Sequence, residues 1–318
     1  MKPTALVTGA GGFLGGHLIG ALRRAGYPVV GWTRTPTAEA ADPGVKFERW
    51  PPLAAFTQAI EKLDRPIVYH LAAAADRIPS EPIEQFDANI QLTANLVHAC
   101  ANARACAFVY AGSGVEYGPF PAGSQIPESA PLAALDLYGA SKAAAGLWAQ
   151  AVARNAGLGF AWARLFPLYG PGLRPPRLMP MVHAALRANS PMDLTPGSPI
   201  RDWVYVGDAA DGMVRLGEFA ETGGHGIFNL CTGHGRTTRE VATMFARRMG
   251  ADIALLRFGA LLARPNEPPW LVGDPGAARK LGWSAHTDFA AGLDATIAAL
   301  DGLNEKRPPE AATSRHGP

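Results

Sequence analysis

The chain has 318 residues, of which 48% are hydrophobic and 18% are charged, and its formal net charge is +2. This composition predicts a globular protein with a large core, built as one large domain or as one domain that carries a smaller one. Because the charge is nearly balanced and no basic run stands out, a nucleic-acid partner is excluded.

Cysteine usage and hydropathy bear on the compartment. Cys100, Cys106 and Cys231 have neither paired nor metal-ligand spacing, which indicates a reducing compartment and no cysteine metal site. No apolar run reaches the ~20 residues that span a bilayer, and the glycine-rich start lacks a signal-peptide cleavage site. We therefore expect a cytoplasmic enzyme without a membrane partner or a bound metal. The polar, proline-bearing tail at 301–318 is predicted to be disordered.

The N-terminal sequence predicts a strand, a glycine-rich turn and a helix, in that order. An apolar run at 5–8 precedes the turn, and 17–25 has a helical pattern. A helix N-terminus offers free N–H groups to phosphate, and glycines let the backbone come close, so this order predicts dinucleotide binding. The predicted cofactor-binding residues of the turn are Gly9, Gly12, Phe13, Leu14 and Gly15.

The end of the second predicted strand, 28–33, bears on the choice of cofactor. An acidic residue near this place bonds the ribose of NAD, whereas an arginine accommodates the 2′-phosphate of NADP. Thr33 occupies the position of the acidic residue that would bond the ribose of NAD, and Arg34 follows it. The sequence therefore favours NADP(H), with NAD(H) as the alternative, and Thr33 and Arg34 are predicted to contact the cofactor.

The next segments continue the alternation of strands and helices. Strands are predicted at 45–50, 67–73 and 107–112, with a long helix at 84–103 between the last two. This order predicts a Rossmann-type α/β fold, a doubly wound parallel sheet whose ligands gather at the carboxyl ends of the strands. The predicted site residues at those ends are Leu71, Ala72 and Ala73, which leave room for a cofactor, and Ser113.

Tyr138-Gly139-Ala140-Ser141-Lys142 opens a further helix that is predicted to reach residue 156. Residues four apart share a helix face, so Tyr138 and Lys142 would stand side by side. An ammonium group near a phenol favours the phenolate and lowers the phenol's pKa towards working pH. The pair is therefore predicted to transfer protons to and from a substrate.

These features belong to a longer series of motifs in a fixed order. The motifs are Thr8-Gly9-x-x-Gly12-x-x-Gly15, His70-Leu71-Ala72-Ala73, Asn89, Ser113 ahead of Tyr117-Gly118, Tyr138-x-x-Ser141-Lys142, Arg164 with Tyr169-Gly170-Pro171-Gly172, Arg201 to Asp208, Arg264-Pro265, and Asp274 with Lys280-Leu281-Gly282-Trp283. Together they resemble the extended short-chain dehydrogenase/reductase family, the group of sugar-nucleotide epimerases, dehydratases and reductases. The resemblance runs through about nine tenths of the chain.

The resemblance implies roles for individual residues. Tyr138 would be the catalytic acid and base, Lys142 would hold the nicotinamide ribose, and Ser113 would bond the reacting oxygen. Arg201 and Arg264 match positions that contact the nucleotide and diphosphate of the substrate, a task that suits the planar guanidinium. Asn89 is placed with the substrate-binding residues, although a helix-anchoring role near the site is the stronger alternative. Family members commonly dimerise through the two helices at 84–103 and 138–156, so a homodimer is expected.

Three departures from the family pattern narrow the function. Dehydratases carry an acidic pair directly after the active-site Ser or Thr, but Gly114 and Val115 follow Ser113, and Glu116 is one place late. Elimination of water is therefore not expected. Many family members have asparagine at the position of Pro167, and proline there removes one contact to a phosphate of the substrate. Residues 50–52 lack the pair of residues that often contacts the adenine of the cofactor in this family.

The C-terminal half is predicted to cover the ligand edge of the sheet. A proline- and glycine-rich stretch at 167–199 would begin a small lid domain, and the chain would return to the sheet at 204–206 and 226–230. We therefore predict a dinucleotide-binding domain at 1–166 plus 202–230. A smaller C-terminal substrate-binding domain would comprise 167–201 plus 231–300.

The predicted function is an NADP(H)-dependent oxidoreductase that acts on a nucleotide sugar, with 4-keto-6-deoxyhexose reduction as the main interpretation. The preference for reduction over epimerisation rests on Thr33 and Arg34, because NADPH serves net reduction. Three alternatives stay open, namely a nucleotide-sugar 4-epimerase, a reductase of small aldehydes, ketones or steroid-like alcohols, and a non-enzymatic dinucleotide-sensing protein.

Overall fold

The computed structural model describes residues 2–34, 44–74, 82–264 and 267–305. In this part of the chain the strands are β1 Ala5–Thr8, β2 Val29–Thr33, β3 Val45–Arg49, β4 Ile67–His70, β5 Ala107–Ser113, β6 Gly159–Leu165, β7 Leu168–Tyr169, β8 Met192–Leu194, β9 Ile200–Asp202, β10 Val204–Tyr205, β11 His225–Leu230, β12 Gly235–Thr237, β13 Leu256–Phe258 and β14 Trp270–Leu271. The helices are α1 Phe13–Arg24, α2 Phe56–Glu61, α3 Pro82–Gln85, α4 Leu92–Asn102, α5 Leu137–Ala156, α6 Leu178–Arg187, α7 Val206–Glu221, α8 Thr238–Arg248, α9 Gly276–Lys280 and α10 Phe289–Glu305. A π-helical segment, Phe86–Gln91, joins α3 to α4.

A parallel sheet of seven strands forms the centre of the described fold, in the order β11-β6-β5-β4-β1-β2-β3. The order reverses between β1 and β4, which is where a doubly wound sheet opens a crevice for a ligand. Helix α4 packs against α5 on one face of the sheet, and α1 packs against α7 on the other. The predicted Rossmann-type α/β fold is confirmed.

Helix α5 has clear start and stop signals. The Asp136 carboxylate accepts a hydrogen bond from Gly139 N at 2.7 Å, and Gly157 ends the helix with φ +64°. Small residues face the sheet along its length. A Cβ on Gly146 would lie 2.2 Å from the Trp162 ring, so glycine there allows α5 to approach the strands closely.

Several predicted elements need correction. The fourth strand ends at His70, because the chain turns into the loop that carries Leu71 to Ala73. The helix predicted at 84–103 is divided by the π-helical segment. Residues 204–205 do not return to the main sheet, since β10 pairs with β7 in a separate small sheet.

Three long elements, strand β6 and helices α7 and α10, are absent from the sequence-based predictions. Strand β6 lies between β5 and β11 in the sheet. The sequence signal that could have predicted it is an apolar run shortly after Gly157, the residue that ends α5. Helix α7 packs against α1, β5 and β6. Helix α10 continues to Glu305, so the predicted disordered tail does not begin at 301, and its remainder, 306–318, lies outside the described residues.

A separate hydrophobic cluster lies beyond the sheet's carboxyl edge. It is built by α6, α8 and α10 with contributions from the short strands, and it includes Val182, Phe245 and Leu293, all completely buried. This cluster supports the elements that face the ligand edge. The predicted division of the chain into two domains stays a prediction.

Candidate active site

The glycine turn between β1 and α1 is shaped by close backbone contacts. Gly9 has φ +69°, and a Cβ on it would lie 2.9 Å from Ala72 N. A Cβ on Gly15 would lie 2.3 Å from Gly9 O, so α1 starts in direct contact with the turn. Gly12 caps the helix without a side chain, which leaves the N–H groups of the first turn facing outwards. A pyrophosphate fits this helix end.

The other predicted cofactor residues surround this turn. Leu71 N and Ala72 N donate to the Thr8 hydroxyl at 3.2 and 3.3 Å, which holds the loop after β4 against the turn. A Cβ on Gly11 would lie 3.4 Å from Thr33 Oγ1, so the end of β2 borders the same place. Arg34 is exposed at the end of β2. The side chain of Leu14 is part of the core.

A cleft of about 1200 Å³ runs from this helix end to the smaller C-terminal elements. It brings together most of the predicted catalytic and substrate-binding side chains and three residues predicted to bind the cofactor, namely Gly12, Phe13 and Tyr138. Its walls include Gly12, Phe13, Ser113, Tyr138, Arg201 and Arg264. Leu71, Ala72, Thr33 and Asn89 do not line this cleft.

Tyr138 and Lys142 lie one turn apart on α5, as predicted. Tyr138 is half-buried at the cleft wall, whereas Lys142 is only 2% exposed. The Lys142 ammonium lies 4.4 Å from the centre of the Tyr110 ring. Burial lowers the pKa of Lys142 to about 8, and the nearby carboxylate of Glu116 opposes this shift.

Ser113 is the last residue of β5, and a 3₁₀ turn, Gly114–Tyr117, follows it. If the strand continued past Ser113, the side chain of Glu116 would point to the opposite side from the acidic pair of dehydratases. In the structure Glu116 folds back instead, and its Oε1 accepts a hydrogen bond from Ser113 N at 2.7 Å. Its Oε2 lies 3.2 Å from Arg164 Nε, and the carboxylate is completely buried. The side chain of Glu116 therefore does not line the cleft.

Asn89 is held in internal hydrogen bonds, which favours the anchoring role over the predicted contact with the substrate. It is 1% exposed on the π-helical segment. The side-chain oxygen of Asn89 accepts a hydrogen bond from Ala74 N at 2.8 Å, and its side-chain NH₂ group donates to Ser141 Oγ at 2.9 Å. Because Ser141 Oγ donates to the Tyr138 carbonyl at 2.8 Å, Asn89 fixes the start of α5.

Arg201 and Arg264 reach the cleft in different ways. The Arg201 guanidinium is nearly buried, and it donates to the Ile200 carbonyl at 2.8 Å and to Glu267 at 3.0 Å. Arg264 is exposed at the wall. The sequence-based predictions missed Glu267, whose only signal was an acid three residues after Arg264. They also missed Arg174 and Arg177, which line the cleft near the start of α6.

A buried chain of hydrogen bonds joins the glycine turn to α4. His70 Nδ1 lies 2.8 Å from the Thr8 hydroxyl, and His70 Nε2 lies 2.9 Å from the Thr93 hydroxyl. The Thr93 hydroxyl in turn donates a hydrogen bond to the backbone carbonyl of Asn89 at 2.6 Å. Burial, with a smaller contribution from the charge on Lys142, lowers the pKa of His70 to about 3.

The buried His70 predicts a dependence of stability on pH. An unfolded histidine gains a proton below about pH 6.5, whereas the folded His70 stays neutral until about pH 3. The unfolded state therefore binds one more proton in this window, and the free energy of unfolding should fall by up to about 1.4 kcal/mol per pH unit as the pH drops.

Denaturant unfolding of His70→Gln at pH 7 and pH 5 measures this contribution, and we expect a shallower loss of stability than in the unmodified protein. His225→Gln, at an exposed position, should keep the original slope. An unchanged slope in His70→Gln would contradict the assignment of a buried, neutral imidazole.

Within 2–34, 44–74, 82–264 and 267–305, no group of three or more His, Cys, Asp or Glu side chains is arranged to hold a metal ion. Among the described helices, none combines the length and the apolar character that crossing a membrane requires.

Comparisons with known proteins identify the family of this chain. Residues 5–231 match the model of the NAD dependent epimerase/dehydratase family. A UDP-glucose 4-epimerase of Azospirillum brasilense is 29% identical, with 92% of this chain and 90% of the relative aligned. The structure of a Thermus thermophilus UDP-glucose 4-epimerase in complex with NAD superposes with a TM-score of 0.85 at 28% identity, covering 94% of this chain and 99% of that one.

A second structural neighbour carries a related activity. DesIV, a dTDP-glucose 4,6-dehydratase from Streptomyces venezuelae with NAD and TYD bound, has a TM-score of 0.85 at 26% identity and covers 95% of this chain and 98% of its own. The family match spans well over half of the chain and confirms the resemblance to the extended short-chain dehydrogenase/reductases. This chain belongs to the NAD dependent epimerase/dehydratase family and is an enzyme of that family.

Proposed function

We propose that this enzyme is a nucleotide-sugar 4-epimerase. The observation that carries the proposal is the cleft, whose walls include Ser113 and Tyr138 together with Arg201 and Arg264. The withdrawn carboxylate of Glu116 argues against dehydration. The similarity to UDP-glucose 4-epimerases in sequence and structure supports epimerisation over the 4-keto-6-deoxyhexose reduction that the sequence favoured.

The cofactor would be held at the glycine turn. Gly9 and Gly15 shape the turn, and the N-terminus of α1 beside Gly12 would receive the pyrophosphate. A nicotinamide bound there would supply the hydride chemistry, as acceptor from the sugar and as donor back to it. We propose NAD as this cofactor, since the neighbours are complexed with NAD and an epimerase needs no external reductant. They give no support to the predicted preference for NADP(H) from Thr33 and Arg34.

The chain's own residues would manage the proton and the reacting oxygen. Tyr138 takes the proton of the sugar 4-hydroxyl as that carbon is oxidised, and it returns the proton when the opposite face is reduced. Ser113 donates a hydrogen bond to the same oxygen. The buried ammonium of Lys142 stabilises a phenolate on Tyr138. The cleft volume gives the sugar room to turn between the two steps.

The arginines suggest why the substrate is a nucleotide sugar. A guanidinium can grip a diphosphate with two parallel hydrogen bonds, and Arg201 is held in place by Glu267. Arg264 is exposed and can meet the solvent-facing side of a ligand. The homodimer expected from the family resemblance stays a prediction.

A direct assay distinguishes the candidate activities. The purified protein, without added cofactor, is incubated with UDP-, dTDP-, GDP- or CDP-linked hexoses, and the sugars are separated by chromatography. Interconversion of 4-epimers supports the proposal. In a second arm, NADPH is added together with nucleotide-linked 4-keto-6-deoxy sugars or with simple carbonyls. Oxidation of NADPH with the 4-keto-6-deoxy sugars, and no interconversion in the first arm, would replace the proposal with the reductase. Oxidation of NADPH with simple carbonyls alone would select a small-carbonyl reductase.

Arg264→Ala should weaken substrate binding while the chemical step continues. Loss of one charged contact to phosphate is expected to raise the KM for the nucleotide sugar about tenfold, because charged hydrogen bonds contribute about 1.5–3 kcal/mol, while kcat changes little. Steady-state kinetics measure both. Arg215→Ala, which removes an exposed arginine on α7 paired with Glu218, is the control and should leave KM unchanged. An unaltered KM in Arg264→Ala would remove Arg264 from the proposed substrate site.

A further inference from the structure

The chain segment that follows β7 lies against the first two turns of α1. It begins with the glycine- and proline-containing motif at 169–172, in which Gly172 has φ +87°, a conformation that glycine adopts without strain. Residues 172–179 then line the cleft, and they include two arginines, Arg174 and Arg177. The proposed catalytic steps leave the motif at 169–172 without a role.

His17 on α1 holds this segment by a hydrogen bond. Its Nε2 lies 2.8 Å from the carbonyl oxygen of Pro171. Because a carbonyl oxygen can only accept, Nε2 carries the hydrogen and donates it. Phe13 lies one turn earlier on the same helix, and its ring meets the imidazole edge to face with the ring centres 5.9 Å apart. A Cβ on Gly172 would lie 3.8 Å from the Phe13 ring, so the segment contacts α1 at two successive turns.

The other hydrogen bonds of the segment are local. Two turns shape its backbone, with N–H groups donating from Leu173 to the Gly170 carbonyl at 3.3 Å and from Arg177 to the Arg174 carbonyl at 3.2 Å. Neither turn joins the segment to the sheet or to α1. Among the described residues, the bond from His17 is the hydrogen bond that ties 171–177 to α1.

The two arginines of the segment are available to an anionic ligand. Arg174 and Arg177 are exposed in the cleft wall, and within the described ranges neither guanidinium forms an ion pair. Arg201 differs, because Glu267 lies 3.0 Å from its guanidinium. An unpaired guanidinium suits a diphosphate, which it can bind with two parallel hydrogen bonds. Since the N-terminus of α1 is the proposed pyrophosphate site, a tie to α1 fixes where these arginines stand relative to the cofactor.

We infer that His17 is a positioning residue that ties the segment 171–177 to the cofactor helix and thereby places Arg174 and Arg177 for the diphosphate of the substrate. The inference rests on the proposed function, because a nucleotide sugar supplies that diphosphate. The proton transfer assigned to Tyr138 does not involve His17. Loss of the hydrogen bond should therefore act on substrate binding and leave the chemical step unchanged.

Two substitutions at His17 separate the hydrogen bond from the ring. His17→Phe removes the donor and keeps an aromatic ring beside Phe13, whereas His17→Gln keeps an N–H group for the Pro171 carbonyl. The net contribution of one hydrogen bond corresponds to a factor of about two to ten. In His17→Phe we expect the KM for the nucleotide sugar to rise by this factor with little change in kcat, and in His17→Gln we expect KM to return towards the original value. A fall in kcat at unchanged KM would contradict the inference.

A double-mutant cycle shows whether His17 acts through the arginines. In the background of Arg174→Ala with Arg177→Ala, the position of the segment no longer matters for binding the diphosphate. His17→Phe should therefore raise KM much less in this background than in the unmodified protein. An equal rise of KM in both backgrounds would show that His17 acts by another route and would overturn the inference.

Hydrogen exchange tests the tie without substrate and separates this inference from the proposed function. In the full-length protein, the amides of Leu173 and Arg177 should exchange about twofold to tenfold faster in His17→Phe and at the original rate in His17→Gln. The control is His98→Phe, which replaces an exposed imidazole 6.2 Å from the Trp148 ring and should leave both amides unchanged. Unchanged exchange in His17→Phe overturns the inference even if nucleotide sugars are converted. Faster exchange in a protein that converts no nucleotide sugar supports the tie to α1 and contradicts the proposed function alone.

Discussion

Tyr138→Phe is expected to abolish sugar interconversion while the cofactor still binds. The substitution removes one hydroxyl at the cleft wall and keeps the ring that packs there. Because a positioned acid or base contributes about 10²–10⁴-fold to a rate, the loss of kcat should be of this size. Turnover is measured with the substrate found in the nucleotide-sugar assay, and cofactor binding is measured by calorimetry.

A second tyrosine controls for the loss of a phenol. Tyr27→Phe removes a hydroxyl just before β2, at the opposite end of the sheet, and should leave turnover unchanged. Circular dichroism checks that both variants are folded. If Tyr138→Phe retained full turnover, the proton transfer assigned to Tyr138 would be wrong.

Gly15→Ala should have the largest effect on the cofactor site. The added Cβ would lie 2.3 Å from Gly9 O and 2.9 Å from Ala10 O. Both contacts are backbone atoms, so the turn or the helix must shift and the cradle for the pyrophosphate is distorted. We expect cofactor affinity to fall at least tenfold and the free energy of unfolding to fall by about 1–3 kcal/mol, as in other overpacked sites.

Gly20→Ala on the same helix provides the matched control. A Cβ at Gly20 would meet Arg24 Nη1 at 3.5 Å, an ordinary contact with a flexible side chain. Alanine in a helix interior stabilises by about 0.5–1 kcal/mol relative to glycine, so this variant should be slightly more stable and bind cofactor normally. Equal cofactor affinities in the two variants would refute the role of close packing at Gly15.

The sequence determined much of the fold because its signals are local. Glycine spacing after β1, the alternation of apolar strands with helices, and the pairing of Tyr138 with Lys142 each depend on residues close together in the chain. Such periodicities fix which side of an element is buried. The family, the parallel sheet and the presence of Tyr138 and Ser113 at one cleft could therefore be predicted.

Contacts between distant segments were decided only by the tertiary structure. The alternation of side chains along a strand does not predict that Glu116 folds back to Ser113 N and pairs with Arg164. Both contacts depend on the 3₁₀ turn after β5 and on the neighbouring strand β6. Asn89 likewise becomes an anchor through contacts with Ala74 and Ser141. The sequence by itself determined which chemical groups the enzyme has. Which of these groups line the cleft, and which are buried in the hydrogen bonds that support it, depends on the packed fold. Burial and hydrogen-bond partners come from residues far apart in the chain.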